Sequence, residues 1–189
     1  MTAAQTTKDA GASTPSRWFV AAPVIGFVVS VAHLAWEASH GGIKSHHLLN
    51  DANLPAISNS WGLLALPLLG AVASYVLRRR SSTNPQAPRQ ALAPFCGALA
   101  VGLALSIAFQ LDWSEVTSGL FLALLLSGTV LRTYRAEYGF GFVLGMTFVF
   151  GSVLPTLVAG VAGGLSAVAH FAVYPGVAAA YRRLRAVSA

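Results

Sequence analysis

Six long apolar runs, separated by short polar segments that hold nearly every charge, limit what this chain can become. They cover residues 18–36, 61–77, 91–111, 116–131, 140–162 and 165–181. Each is close to, or just under, the roughly 17–25 residues that a helix needs to cross a hydrocarbon core about 30 Å thick. None shows the ten-residue alternation of polarity that marks the strands of a transmembrane barrel. The chain is therefore read as an all-α polytopic membrane protein, a six-helix transmembrane bundle forming one domain over residues 18–185. Only 10% of its residues are charged, against about 25% in soluble domains, which excludes an ordinary soluble globular protein, a disordered chain and a coiled coil.

Charge supplies the orientation. Lys8 and Arg17 precede the first run, Arg78, Arg79, Arg80 and Arg89 lie between the second and third, Arg132 and Arg135 between the fourth and fifth, and Arg182, Arg183 and Arg185 follow the sixth. Eleven of the twelve basic residues thus fall on one side, and only Lys44 falls on the other. By the positive-inside rule that side is the cytoplasm. Both termini are expected there, residues 1–17 as a flexible tail and 186–189 as a short one. The expected location is a bacterial inner (plasma) membrane, with the histidine-rich loop on the outer face. The competing reading of the first run, a cleaved secretory signal, suits an apolar region of about 7–15 residues; this run is longer and holds His33. Trp18, Trp36, Trp61 and Trp113 fall at span ends, as an interfacial aromatic belt requires.

The net charge of +6 is on this reading a topological signal, and no nucleic acid partner is expected. The bilayer is the obvious partner, with Arg78–Arg80 placed to hold anionic lipid. One cysteine, Cys96, excludes an intramolecular disulfide and a cysteine-based zinc site. Small residues at four-residue spacing let helix backbones approach in lipid, and Gly141/Gly145, Gly160/Gly164 and Ala98/Gly102 supply them. These faces also suit packing against a membrane-protein partner or a second copy of the chain. Pro67, Pro155 and Pro175 lie inside spans and are read as kinks. The turn between the last two spans is read at Gly163–Gly164.

The candidate chemistry is carried by histidines. In this topology His33 lies near the outer end of span one, His40, His46 and His47 lie in the first outer loop, and His170 lies a few residues inside span six. His33, Glu37 and His40 are offset by four and seven residues and share a helical face, a spacing that can offer two imidazoles and a carboxylate to one metal ion. Ser166, His170 and Tyr174 form a similar stripe, with His170 expected at the depth of His33. The first outer loop adds Asn50, Asp51 and Asn53 as turn or cap residues. Its Leu48–Leu49 and Leu54 suggest a short helix on the membrane surface, and Ser58 or Asn59 is a candidate cap for span two.

The function these residues suggest is an outward-facing, metal-dependent hydrolase acting on a lipid or small amphipathic substrate. His33, His40, His46, His47 and His170 would be ligands, preferably of zinc, and Glu37 and Asp51 would be catalytic carboxylates acting on a metal-bound water. Two alternatives stay open. One is a metal-ion or haem binding or transport protein, the haem held between His33 and His170. The other is a non-catalytic subunit of a membrane complex.

Overall fold

A computed structural model describes residues 17–47, 53 and 55–187. Its described residues are almost entirely helical: α1 (Arg17–Ser39), α2 (Gly62–Ser81), α3 (Ala87–Gln110), α4 (Ser114–Val130), α5 (Ala136–Phe150), α6 (Val153–Val168) and α7 (Tyr174–Val187). A π-helical segment, Ala169–Val173, joins α6 to α7 without a break. Four helical stretches, Phe19–Ser39, Asn59–Ser81, Ala87–Gln110 and Val153–Ala186, are long and apolar enough to cross a membrane, whereas α4 and α5 are shorter apolar helices.

From α1 to α6 successive helices run in opposite directions, and α7 continues α6, so the bundle has two ends. One carries the connection between α1 and α2; the other carries Arg78–Arg80, Arg89, Arg132 and Arg135, and is here called the basic end. Trp36, Trp61 and Trp113 are exposed together at the opposite end. That end is closed by a two-stranded antiparallel hairpin, β1 (Ser45–His47) with β2 (Ala56–Ser58), in which His46 faces Ile57 across the ladder. The strands flank the stretch in which a surface helix is expected from Leu48, Leu49 and Leu54. Leu48, Leu49 and Leu54 lie outside the described residues. Gly41 and Gly42 both have positive φ (108° and 96°), which lets α1 end and the chain reverse.

α1 and α2 hold each other by a reciprocal contact. A Cβ at Gly26 would lie 2.7 Å from the carbonyl oxygen of Leu66, and one at Gly70 would lie 2.6 Å from that of Ala22. Pro67 follows the first carbonyl and Pro23 the second, so each glycine rests on the peptide bond leading into the other helix's proline. Four residues beyond Gly26, Ser30 donates to the carbonyl of Gly62 at 2.8 Å.

α3 and α5 form the second tight pair. A Cβ at Gly102 would reach the carbonyl oxygen of Phe142 at 2.5 Å, one at Gly145 that of Leu99 at 2.5 Å, and one at Gly141 would collide with that of Phe95. Lipid gives no hydrophobic drive for helices to associate, and this backbone approach supplies dispersion contact in its place. α5 also buries Phe140, Phe142 and Val143, which meet Leu66 and Leu105 in the core. With 15 residues it rises only about 22 Å, less than a hydrocarbon core. A helix enclosed by neighbours has no lipid thickness to match.

The largest departure from expectation concerns the last two spans. Gly163 and Gly164 are interior to α6, and the reversal occurs at Gly151, with φ 66°, followed by Ser152. A side chain at Gly151 would also collide with the amide of Asn59, so two constraints select glycine there. α6 then begins with Pro155 in its first turn, where a missing N–H leaves no bond unmade. Gly160 and Gly164, expected as a packing seam, have no neighbour within 4 Å of a built Cβ. The π-helical segment precedes Pro175, which has no N–H to continue the regular ladder, and it absorbs that defect.

Candidate functional site

The hairpin end holds a buried polar cluster. His33 and Glu37 lie on one face of α1, with Nε2 3.6 Å from Oε1 and side chains 3% and 6% exposed. That distance is too long for a hydrogen bond, so the pair is an electrostatic neighbour. Oε1 of Glu37 accepts a 2.7 Å hydrogen bond from Nδ2 of Asn59, and Oε2 accepts the backbone N–H of Lys44 at 3.3 Å. One carboxylate thus ties α1 to the chain entering β1 and to the 3-10 turn (Asn59–Trp61) that opens α2. His33 stands edge-on to Phe148 of α5, with ring centroids 5.6 Å apart. Ser152 is buried nearby, its hydroxyl without a hydrogen-bond partner among the described residues and 3.0 Å from where a Cβ at Gly62 would stand.

The other expected site residues do not join this cluster. His40 is exposed at the end of α1, where it stacks on Trp36 at 3.7 Å and its Nδ1 meets the carbonyl of Trp36 and the hydroxyl of Ser39, each at 2.9 Å. Only the backbone of His46 and His47 is described, in β1. Asp51 and Asn50 lie outside the described residues. Ser58 caps the 3-10 turn, accepting the N–H of Ser60, while Asn59, expected as a cap, serves Glu37 instead. Among the described residues no three His, Cys, Asp or Glu side chains converge where a metal ion could sit.

His170 belongs to the other end. Its Nδ1 meets the carbonyl of Ser166 at 2.9 Å, and its ring packs edge-on against Tyr134 and Tyr174. Tyr134 lies just before α5 and Phe148, the neighbour of His33, lies near its end, a separation of roughly 20 Å of helix rise. The expected pairing of His33 with His170 fails because it rested on the Gly163–Gly164 turn; moving the reversal to Gly151 shifts His170 along the helix to the basic end. No single zinc or haem iron can take both. The Ser166–His170–Tyr174 stripe exists, but it docks on the end of α4, where Ser166 donates to Leu131 at 3.0 Å and Tyr174 to the carbonyl of Thr129.

At the basic end Glu137 is buried and accepts from Nη1 of Arg80 at 2.7 Å, with Nη2 of Arg135 also 2.7 Å away. Arg79 lies over the ring of Tyr75. Two of the three arginines read as a lipid-holding group thus have partners within the protein.

The feature with room for a ligand was not legible in the sequence. Between the tight α3–α5 pair and the layer of α4 and α6 run three cavities in line. The first, about 550 Å³, is lined by Ala93, Gly97, Val101, Leu124 and Ala159, among others, and reaches the basic end at Leu131 and Thr133. The second, about 290 Å³, shares Phe142 with the first and is bounded by Phe121 and Met146. The third, about 230 Å³, shares Thr117 and Ser118 with the second and opens at Asp112 and Ser114 near the other end. The cause is local. α4 buries only Gly128, against α6, while the α3 face opposite its leucines is small, and a Cβ at Gly97 would meet nothing within 4 Å. In the first cavity only Ser127, Thr133 and Tyr138 bring polar side chains. The Ser127 hydroxyl is engaged with Leu124, and the buried Thr133 hydroxyl has no hydrogen-bond partner among the described residues.

No known protein family, curated protein or solved structure matches this chain.

Proposed function

We propose that this is a membrane protein that binds an amphipathic molecule in the seam between α3–α5 and α4–α6. The carrying observation is the 550 Å³ cavity, which is within the range of small-molecule sites, about 300–1,000 Å³, and has their apolar walls with a few polar groups. In this reading the chain spans a bacterial plasma membrane six times. α6 and α7 form the last span, and the basic end and both termini lie in the cytoplasm, as the eleven-to-one distribution of basic residues supports.

A photoactivatable lipid offered to the purified chain tests the reading. Adducts should concentrate on the cavity walls, at Gly97, Val101 and Leu124, and disappear when Gly97→Phe fills the space. Labelling spread evenly over the exposed outer face of α1, at Val24, Phe27 and Val28, would reduce the seam to ordinary lipid contact.

A second reading retains the metal-dependent hydrolase, confined to the end with the hairpin. His33 and Glu37 would act with His46, His47 and Asp51, and His170 would take no part. The unpartnered hydroxyl of Ser152 beside the Glu37 cluster favours a further polar guest there. Elemental analysis of protein purified without added metal tests it: zinc lost on His33→Ala supports the reading, and metal-free active protein removes it.

A further inference from the structure

We propose that the occupant of the basic-end cavity is an anionic phospholipid, one acyl chain lying between α3 and α4 and its phosphate at the rim between Arg89 and Arg132. This rests on the amphiphile-binding reading and names the ligand class. On α3, Ala93, Gly97 and Val101 line the cavity at four-residue intervals. Arg89 continues the same ridge one turn toward the basic end and is exposed. On the opposite wall Arg132 is exposed between Leu131 and Thr133, both of which line the cavity.

Charge selects these two arginines. Glu137 is already shared by Arg80 and Arg135, and among the described residues neither Arg89 nor Arg132 has an ion-pair partner. Exposed arginines at these two positions, one turn beyond the α3 wall and between two lining residues on the other side, supply positive charge that complements a phosphate joined to an acyl chain. The buried Thr133 hydroxyl, at the level where the cavity meets the rim, can donate to an ester or phosphate oxygen. A neutral lipid would fill the same walls and leave both arginines unanswered.

The test uses the full chain in nanodiscs of equimolar phosphatidylglycerol and phosphatidylcholine with identical acyl chains, extracted gently and weighed intact by mass spectrometry. Each arginine near the surface contributes about a fivefold preference for anionic lipid, so retained phosphatidylglycerol should exceed phosphatidylcholine by at least about tenfold. The pair R89Q/R132Q should bring the ratio to within about twofold of parity while the number of retained lipids stays the same, and R89K/R132K should keep the preference. Equal retention by the native chain, or an unchanged ratio in R89Q/R132Q, overturns the headgroup assignment and leaves the seam reading standing. Gly97→Phe, shown to unfold cooperatively, should retain neither lipid; native retention in that variant overturns both. A lipid-free dimer would show that a second copy covers the cavity, and would overturn the proposal too.

Discussion

Asn59 donates to Glu37 at 2.7 Å across 22 residues of sequence, and both side chains are buried. A residue just before α2 thereby satisfies a carboxylate near the end of α1. Asn59→Ala removes the donor and leaves a buried acceptor partly unmet, which should lower stability by about 1–3 kcal/mol. Asn59→Asp sets a second carboxylate against the first and should lower it further. Thermal unfolding of the purified variants in one detergent checks the order; equal melting temperatures for the native chain and both variants would show that the contact carries no weight.

The glycines separate into two classes. Gly141→Ala and Gly145→Ala drive a methyl group into the backbone of α3 and should cost about 1–3 kcal/mol each. Gly160→Ala and Gly164→Ala meet open space and should be neutral, or stabilising by up to about 1 kcal/mol, because alanine favours the helix. If the second pair proved as damaging as the first, α6 would have a neighbour on that face.

Glu137 answers two guanidinium groups at once. Glu137→Gln should destabilise by about 2 kcal/mol, less than breaking a fully buried ion pair because Arg80 and Arg135 keep 30% and 25% of their side-chain exposure. Arg80→Gln should cost less, since Arg135 remains. Denaturation curves for the two variants give the comparison.

The position of His170 can be read by cross-linking in a Cys96→Ser background. Cysteines replacing Tyr134 and Phe171, whose ring centroids lie 5.0 Å apart, should be joined by a short bifunctional reagent in membranes. Cysteines at 33 and 170 should not be. The reverse result would restore the reversal at Gly163–Gly164 and bring the two histidines to one end.

α1 to α4 were legible in the sequence to within a few residues, because apolar runs bounded by charge and turn residues have few alternatives. The division of the last stretch was not, since two adjacent glycines suggest a break more loudly than one. The better signal was Gly151–Ser152 with Pro155, a glycine ending one helix and a proline in the first turn of the next. His33 beside Glu37 followed from four-residue spacing. Asn59 did not, because its meeting with Glu37 depends on how the hairpin closes. The cavities depend on how far α4 stands from α3, a property of two surfaces that no local pattern records.

The reciprocal rest of Gly26 on Leu66–Pro67 and Gly70 on Ala22–Pro23 has a sequence counterpart, a P-x-x-G-x-x-x-S pattern repeated at a constant offset of 44, from Pro23 to Pro67, Gly26 to Gly70 and Ser30 to Ser74. Each helix brings the same glycine and proline, each glycine set against the other helix's proline, and nothing after Ser81 takes part in that contact. A translating ribosome therefore releases a matched pair before α3 has emerged. The pair can enter the bilayer and lock as a unit, and the remaining helices assemble against a wall already in place.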